Sequence, residues 1–261
     1  CEQQATLTVD DLRLGLTGNL CRCTGYIPIF EAGQAAAEAR ELAVSQRYPT
    51  PLGNSGSGHA VRNGAAAESL EMVVDDSERS HRVCCPTSLP AALEFLDRHP
   101  EATIVAGATD LGVQINQSQR RPPALLDLNR VEELRAIDVD ENRVIAGARA
   151  SWSDLMDVFI DRAPEFYRIL SRFGSPQIRH AATIGGNLAN ASPIADSLPF
   201  LYVMEASLEL ARRDAVRSAP ITSFYRGYKQ LDLAPGEMIS KVTIPLPAAD
   251  DRLRLYKVSR R

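Results

Sequence analysis

Thr103-Ile104-Val105-Ala106-Gly107-Ala108-Thr109-Asp110-Leu111-Gly112 is the stretch on which the fold reading turns. Its first four residues form a short apolar run with β-branched side chains, which predicts a buried strand. Gly107 ends that run. Thr109 or Asp110 then offers a capping side chain, and Leu111, Val113 and Ile115 lie in the helix expected to follow. A strand that runs into a helix start presents unpaired backbone N–H groups and a partial positive charge, which suits a phosphate. Gly107 would let the backbone come close to such a ligand. An ordinary strand-to-helix turn with a capping threonine accounts for the same residues. The dinucleotide fingerprint G-x-G-x-x-G is absent, which disfavours a simple Rossmann reading.

The flanking sequence extends the pattern. Ser88 caps a predicted helix to about Arg98, with Leu89, Ala92, Leu93 and Leu96 on one face. Residues 124–128, 134–139 and 144–148 read as strands. Ser151 caps another helix carrying Leu155, Val158 and Phe159, and residues 164–174 continue helically behind Pro164. This alternation predicts an α/β layer. Thr183-Ile184-Gly185-Gly186-Asn187 then opens an irregular stretch that runs through Ser192-Pro193-Ile194-Ala195-Asp196. Paired glycines there can expose successive amides as an anion nest, with Thr183 and Asn187 adding side-chain hydrogen bonds. A plain Gly-Gly turn is the alternative. After a short helix to about Glu205, residues 207–211, 238–244 and 252–258 alternate as antiparallel strands do.

The amino-terminal part differs. Residues 7–18, opened by Thr8 or Asp10, and residues 29–44 read as two helices around a loop. That loop holds Cys21-Arg22-Cys23, and two thiolates one residue apart can grip a soft metal or one iron of an iron–sulfur cluster. Two unrelated buried thiols are the other reading. Residues 47–82, rich in Pro, Gly and Ser, read as a linker. The five cysteines, odd in number and tightly clustered, make a poor disulfide framework and point to reduced thiols in a cytoplasm. A net charge of −4 over 261 residues argues against a general nucleic-acid binder. No apolar run approaches the roughly 20 residues of a membrane helix. His59, His81, His99 and His180 lack metal-like spacing, and Ser192 lacks a G-x-S-x-G context. The chain starts at Cys1 and ends in a strand-like run, so a fragment of a longer protein is expected.

Asn19-Leu20-Cys21-Arg22-Cys23-Thr24-Gly25-Tyr26-Ile27-Pro28-Ile29 resembles the second half of the helical [2Fe–2S] domain of the molybdenum hydroxylase (xanthine oxidase) family. Residues 104–112, 183–187 and 191–196 resemble the flavin domain of the same family. The order of these motifs on one chain is more specific than any one of them. The resemblance implies an α+β protein: a small helical [2Fe–2S]-type remnant over residues 1–46, a linker over 47–82, and an FAD-binding domain over 83–247. That domain would hold an α/β layer and an antiparallel sheet with helices. Residues 248–261 would begin a further domain.

By the same resemblance, Cys21 and Cys23 match one cysteine pair of the cluster, while the other pair has no counterpart here. Ile104, Val105, Ala106, Gly107, Ala108, Thr109, Asp110 and Leu111 would line the FAD pyrophosphate and ribitol. Phe173 would lie beside the isoalloxazine. Thr183, Gly186 and Asn187 would touch the diphosphate, Asp196 would add a hydrogen bond, Ile239 would meet the adenine side, and Lys257 would lie near the flavin ring. The implied activity is electron transfer in a xanthine dehydrogenase-like enzyme. A separate large subunit would carry the molybdenum cofactor and hydroxylate a purine, giving a hetero-oligomer. Electrons would pass through [2Fe–2S] clusters to FAD and on to NAD, with no acid or base needed from this chain. An aldehyde or N-heterocycle hydroxylase, and a flavin-free assembly subunit, are the alternatives.

Overall fold

A computed structural model describes residues 8–16, 26–38, 69–75, 80–118, 120–248 and 250–258. The chain divides into two compact units, Cys1–Ala65 and Ala66–Arg261.

In the first unit, helix α1 (Val9–Gly15) starts from a reciprocal capping box. The Thr8 hydroxyl accepts from the Asp11 amide at 3.1 Å, and the Asp11 carboxylate accepts from the Thr8 amide at 2.8 Å. Helix α2 spans Ile27–Glu38. Leu12 is buried, and a Cβ placed on Gly33 would lie 2.9 Å from its methyl, so the α1–α2 contact uses the missing side chain of Gly33. Cys21 and Cys23 lie outside the described residues.

The second unit contains two main sheets. The smaller has the strand order β1 (Leu70–Asp75), β2 (Ser80–Cys85), β4 (Ala124–Asp127), β3 (Thr103–Val105). Strands β1 and β2 form an antiparallel hairpin, whereas β2 and β3 both run parallel to β4. The stretch read as linker therefore contains one strand and the start of a second: apolar Leu70, Met72, Val73 and Val74 pair with the run ending at Cys85. Helix α3 (Leu89–Arg98) covers this sheet. Ser88 caps it by accepting from the Ala91 amide, and Ala92, Leu93, Phe95 and Leu96 form the buried face. Helix α4 (Leu111–Ser118) follows β3, as the opening motif predicts.

The larger sheet is fully antiparallel, in the order β5 (Ile137–Val139), β6 (Arg143–Gly147), β11 (Met238–Pro245), β7 (Ser207–Arg212), β8 (Ala215–Pro220). The strands expected near 134–139 and 144–148 thus belong here and not to the α/β layer. Residues 132–135 are a 3-10 turn, and pairing begins at Ile137. Strand β11 is central, and its burial alternates over most of its length, as a half-buried strand requires. A second correction concerns 252–258, which makes no ladder. Its alternation is met another way: Leu253 and Leu255 pack on the core beneath.

Helices α5 (Trp152–Arg162), α6 (Pro164–Leu170), α7 (Pro176–Ala181), α8 (Ile184–Asn190), α9 (Leu198–Val203) and α10 (Ile221–Phe224) accompany the larger sheet; strands β9 (Tyr225–Gly227) and β10 (Gln230–Leu231) form a small ribbon. Phe166 stacks on Phe200 with centroids 3.9 Å apart, and Phe159 meets both rings edge-on. The two sheets share a seam. Leu128, Val131 and Leu134 from the turns after β4 are buried with Ala211 of β7 and Met238 of β11.

Candidate functional site

At that seam lies a cavity of about 350 Å³. It is bordered by the loop after β3, the starts of α4 and α8, and the first residues of β11. Its position outside the carboxyl ends of the parallel strands β3 and β4 is where open α/β sheets take ligands.

The loop 106–110 has an unusual backbone. The N–H groups of Gly107, Ala108, Thr109 and Asp110 donate to no protein acceptor among the described residues. Ala108 has φ 53°, a left-handed conformation that costs a residue with a side chain of order 1 kcal/mol or more. Successive N–H groups around such a residue form an anion-binding concavity. The loop is braced from outside, because the Asn129 side-chain amide donates to the Ala106 carbonyl at 3.1 Å and to Asp127 Oδ1 at 2.7 Å. Gly107 is fixed by contact. A Cβ there would lie 1.8 Å from the Ala181 carbonyl oxygen, so the loop and the end of α7 touch backbone to backbone.

The glycine pair at 185–186 is built otherwise, and the reading of it as an irregular nest is corrected. Thr183 is the N-cap of α8, and both glycines lie in that helix's first turn. Every amide there is already used. Ile184 donates to the Ala150 carbonyl, Gly185 to Ala148, Gly186 to Thr183 Oγ1 and Asn187 to the Thr183 carbonyl. Gly185 is needed for packing, since a Cβ would come 2.7 Å from that of Ala148. The open amides are therefore those of the first loop.

Residues 78–247 match the family described as FAD binding domain in molybdopterin dehydrogenase. This chain belongs to that family. It is 29% identical to a xanthine dehydrogenase of Emericella nidulans across 94% of this chain and 21% of that protein. It is 31% identical to the nicotinate dehydrogenase FAD-subunit of Eubacterium barkeri across 67% of this chain and 62% of that one. The chain thus spans about a fifth of the xanthine dehydrogenase's length. Among solved structures, quinoline 2-oxidoreductase from Pseudomonas putida 86 aligns with a TM-score of 0.59 and 29% identity, over 63% of this chain and 58% of that one.

In this molybdopterin dehydrogenase FAD domain, the cavity brings together most of the residues singled out from the sequence. Ile104, Ala106, Gly107, Ala108, Thr109, Asp110, Leu111, Phe173, Thr183, Gly186, Asn187 and Ile239 all line it. Ile239 sits beside a bulge in β11, where Ser240 is buried and bonds Glu209. Phe173 meets Trp152 edge-on at 5.5 Å, and its loop is held from below by Arg179. That guanidinium, 3% exposed, donates through Nη1 to the Phe173 and Gly174 carbonyls at 3.0 Å each. Burial lowers its pKa. Asn187 Oδ1 accepts from the Ser197 hydroxyl at 2.5 Å.

Val105, Asp196 and Lys257 do not line the cavity. Asp196 and Lys257 pair with each other at 2.6 Å, and Lys257 also donates to the Arg172 carbonyl at 3.2 Å, next to the Phe173 loop. Sequence reasoning missed Arg149, Arg120 and Gln114, which do line the cavity. Arg149 offered one signal: a long cation between Ala148 and Ala150, in a run of small residues. Among the described residues no group of three or more His, Cys, Asp or Glu is placed to hold a metal ion. Cys84 is buried, which pushes its thiol up to about 11 and keeps it protonated.

The cavity fits FAD by the chemistry of its donors. Four open backbone N–H groups and a net surplus of cationic side chains face an apolar-walled space, which matches a diphosphate flanked by aromatic rings.

Proposed function

We propose that this chain is the FAD-binding electron-transfer segment of a xanthine dehydrogenase-like molybdenum hydroxylase. The observation that carries the reading is the row of unsatisfied amides from Gly107 to Asp110 inside the cavity of a molybdopterin dehydrogenase FAD domain. FAD, when bound, supplies the ability to accept electrons singly and release them in pairs. The chain's residues position it. The 107–110 amides take the diphosphate, with Thr183 and Asn187 nearby on the facing helix. Phe173 sets one wall for the ring system, and Arg179 fixes that wall. The Asp196–Lys257 pair braces the Phe173 loop from outside the cavity through the Arg172 carbonyl. No group on this chain is required to move a proton on the hydroxylated substrate.

Beyond the flavin, we propose a molybdenum-containing partner subunit in a hetero-oligomer, a [2Fe–2S] cluster with Cys21 and Cys23 among its ligands, and NAD as acceptor. The partner is supported by a relative described as an FAD-subunit and by a solved neighbour whose description names the molybdenum cofactor; the cluster and NAD rest on the resemblance alone. The 31% identity to a nicotinate dehydrogenase FAD-subunit favours a second reading for the partner's substrate, an N-heterocyclic acid in place of a purine.

The test is the visible spectrum of the purified chain and the identity of what heat releases. Flavin bands with one released FAD per chain support the reading. A colourless protein that takes up no added FAD overturns it in favour of an assembly subunit. Turnover of xanthine against nicotinate by the complex with its large subunit separates the two substrate readings.

A further inference from the structure

We infer that Arg149 is an anion-binding residue of the cavity that takes the diphosphate of the bound dinucleotide; this rests on the flavin reading above. The guanidinium has one hydrogen bond, from Nη1 to the Val131 carbonyl at 2.9 Å. Its Nε is buried with no acceptor and closed to solvent, and Nη2 has no acceptor among the described residues, so the Nη edge is the one with donors to offer. Several other arginines of this unit are neutralised by carboxylates, and buried Arg179 is held by three carbonyls. Arg217 holds Glu237 and Asp232, Arg82 and Arg98 share Glu71, and Arg213 holds Asp97. Arg149 makes no ion pair within 4.0 Å among the described residues; burial lowers its pKa, while Glu132 and Asp127 act against this from longer range and Arg135 acts with it.

A half-buried cation with idle donors is costly unless something arrives to use them. The position says what. Val131, which holds Nη1, follows the 3-10 turn at the end of β4, and the strand pairing sets Asp127 beside Val105, where the 106–110 loop begins. The backbone next to Arg149 is pinned to the other border, since the Ala148 carbonyl accepts from Gly185 at 2.9 Å. Arg149 thus lines the cavity between the open amides and the start of α8. The charged side chains lining the cavity are Asp110, Arg120 and Arg149, one carboxylate against two guanidinium groups. Asp110 is engaged by Gln114, and exposed Arg120 donates once each to Gln114 and Thr103, whereas half-buried Arg149 donates only to Val131. Planar N–H pairs match a phosphate's oxygens, and such bonds are charge-assisted.

The experiment is FAD binding to the whole chain, followed by flavin fluorescence across a salt series. Arg149→Met is expected to weaken binding about 10- to 100-fold at low salt, the loss of one charge-assisted contact. The parent's affinity should fall as salt rises from about 50 to 500 mM, and that dependence should flatten in the variant. Arg149→Lys should recover part of the affinity and the salt dependence, which a packing role would not do. If Arg149→Met fails to fold, Arg149→Gln retains a donor for Val131 without the charge. The parent's own salt dependence needs no variant, and its absence overturns the inference. Equal FAD affinity with and without the charge, in folded protein, overturns it too and leaves the flavin reading standing. A parent chain that takes up no FAD overturns the flavin reading first.

Discussion

One methyl group separates Gly107 from alanine, and the contact between its loop and α7 has no room for it. At 1.8 Å from the Ala181 carbonyl oxygen, a Cβ would overlap backbone, which cannot rotate away as a side chain can. Gly107→Ala must therefore part the 106–110 loop from α7. The expected cost is about 2–3 kcal/mol, or roughly 5–10 °C in Tm for a domain of this size, with loss of FAD retention beyond that of stability-matched variants. A melting curve and the FAD content of the purified variant check both. A fully stable variant would mean that the loop is not held by this contact. Gly107 was legible in the sequence as a residue that brings backbone close to something. What it approaches was not, because Ala181 is distant in sequence. The same limit explains the misplaced nest. Gly185 and Gly186 look open in sequence, but the carbonyls that consume their helix turn's amides belong to Ala148, Ala150 and Thr183. Periodicity reports a helix face; it does not report which distant strand closes on it.

Among the elements, the strands near the centre were the more legible and the edges the less. Residues 238–244 alternate because β11 has a neighbour on each side and one buried face. Residues 252–258 alternate as well, but Leu253 and Leu255 satisfy their burial by packing on the core without a ladder. Apolar alternation fixes a face and not a hydrogen-bonding partner. The segment leading into β11 shows what such ends depend on. Arg217 of β8 donates to both oxygens of Glu237 at 2.8 Å each and to Asp232, tying the turn before Met238 to the sheet edge. Hydrogen bonding from Arg217 holds the Glu237 carboxyl below its ordinary value, although burial acts against this. A carboxyl lowered in the folded state binds fewer protons there than in the unfolded chain. Its contribution is therefore fully present above the ordinary carboxylate value and is lost as pH falls through the lowered folded value. Tm should be flat near neutrality and drop below about pH 4.5. Arg217→Met should lower Tm at neutral pH by more than it does at about pH 3, so the two curves converge in acid. Parallel curves would show that Glu237 owes its shift to another group.

At the scale of the whole chain, the candidate site and the candidate cluster fall into different units. All residues lining the cavity lie between Thr103 and Ile239, within Ala66–Arg261, whereas Cys21 and Cys23 belong to Cys1–Ala65. The fold class was legible because each unit's pattern is local: two helices around a cysteine loop, then strand–helix alternation, then alternating strands. The cavity was legible only in parts, since it forms where the two sheets of the second unit meet at Leu128, Met238 and Ile239. This separation makes the two cofactor proposals independently testable. A Cys21→Ser, Cys23→Ser double variant removes two thiolates and none of the described residues that line the cavity. Iron per chain should fall to background while FAD per chain and its affinity stay within about twofold of the parent, a difference below about 0.4 kcal/mol. Unchanged iron would remove Cys21 and Cys23 from the ligand set. A parallel loss of FAD would mean that the first unit takes part in closing the flavin site, and that the boundary at Ala66 does not isolate the chemistry.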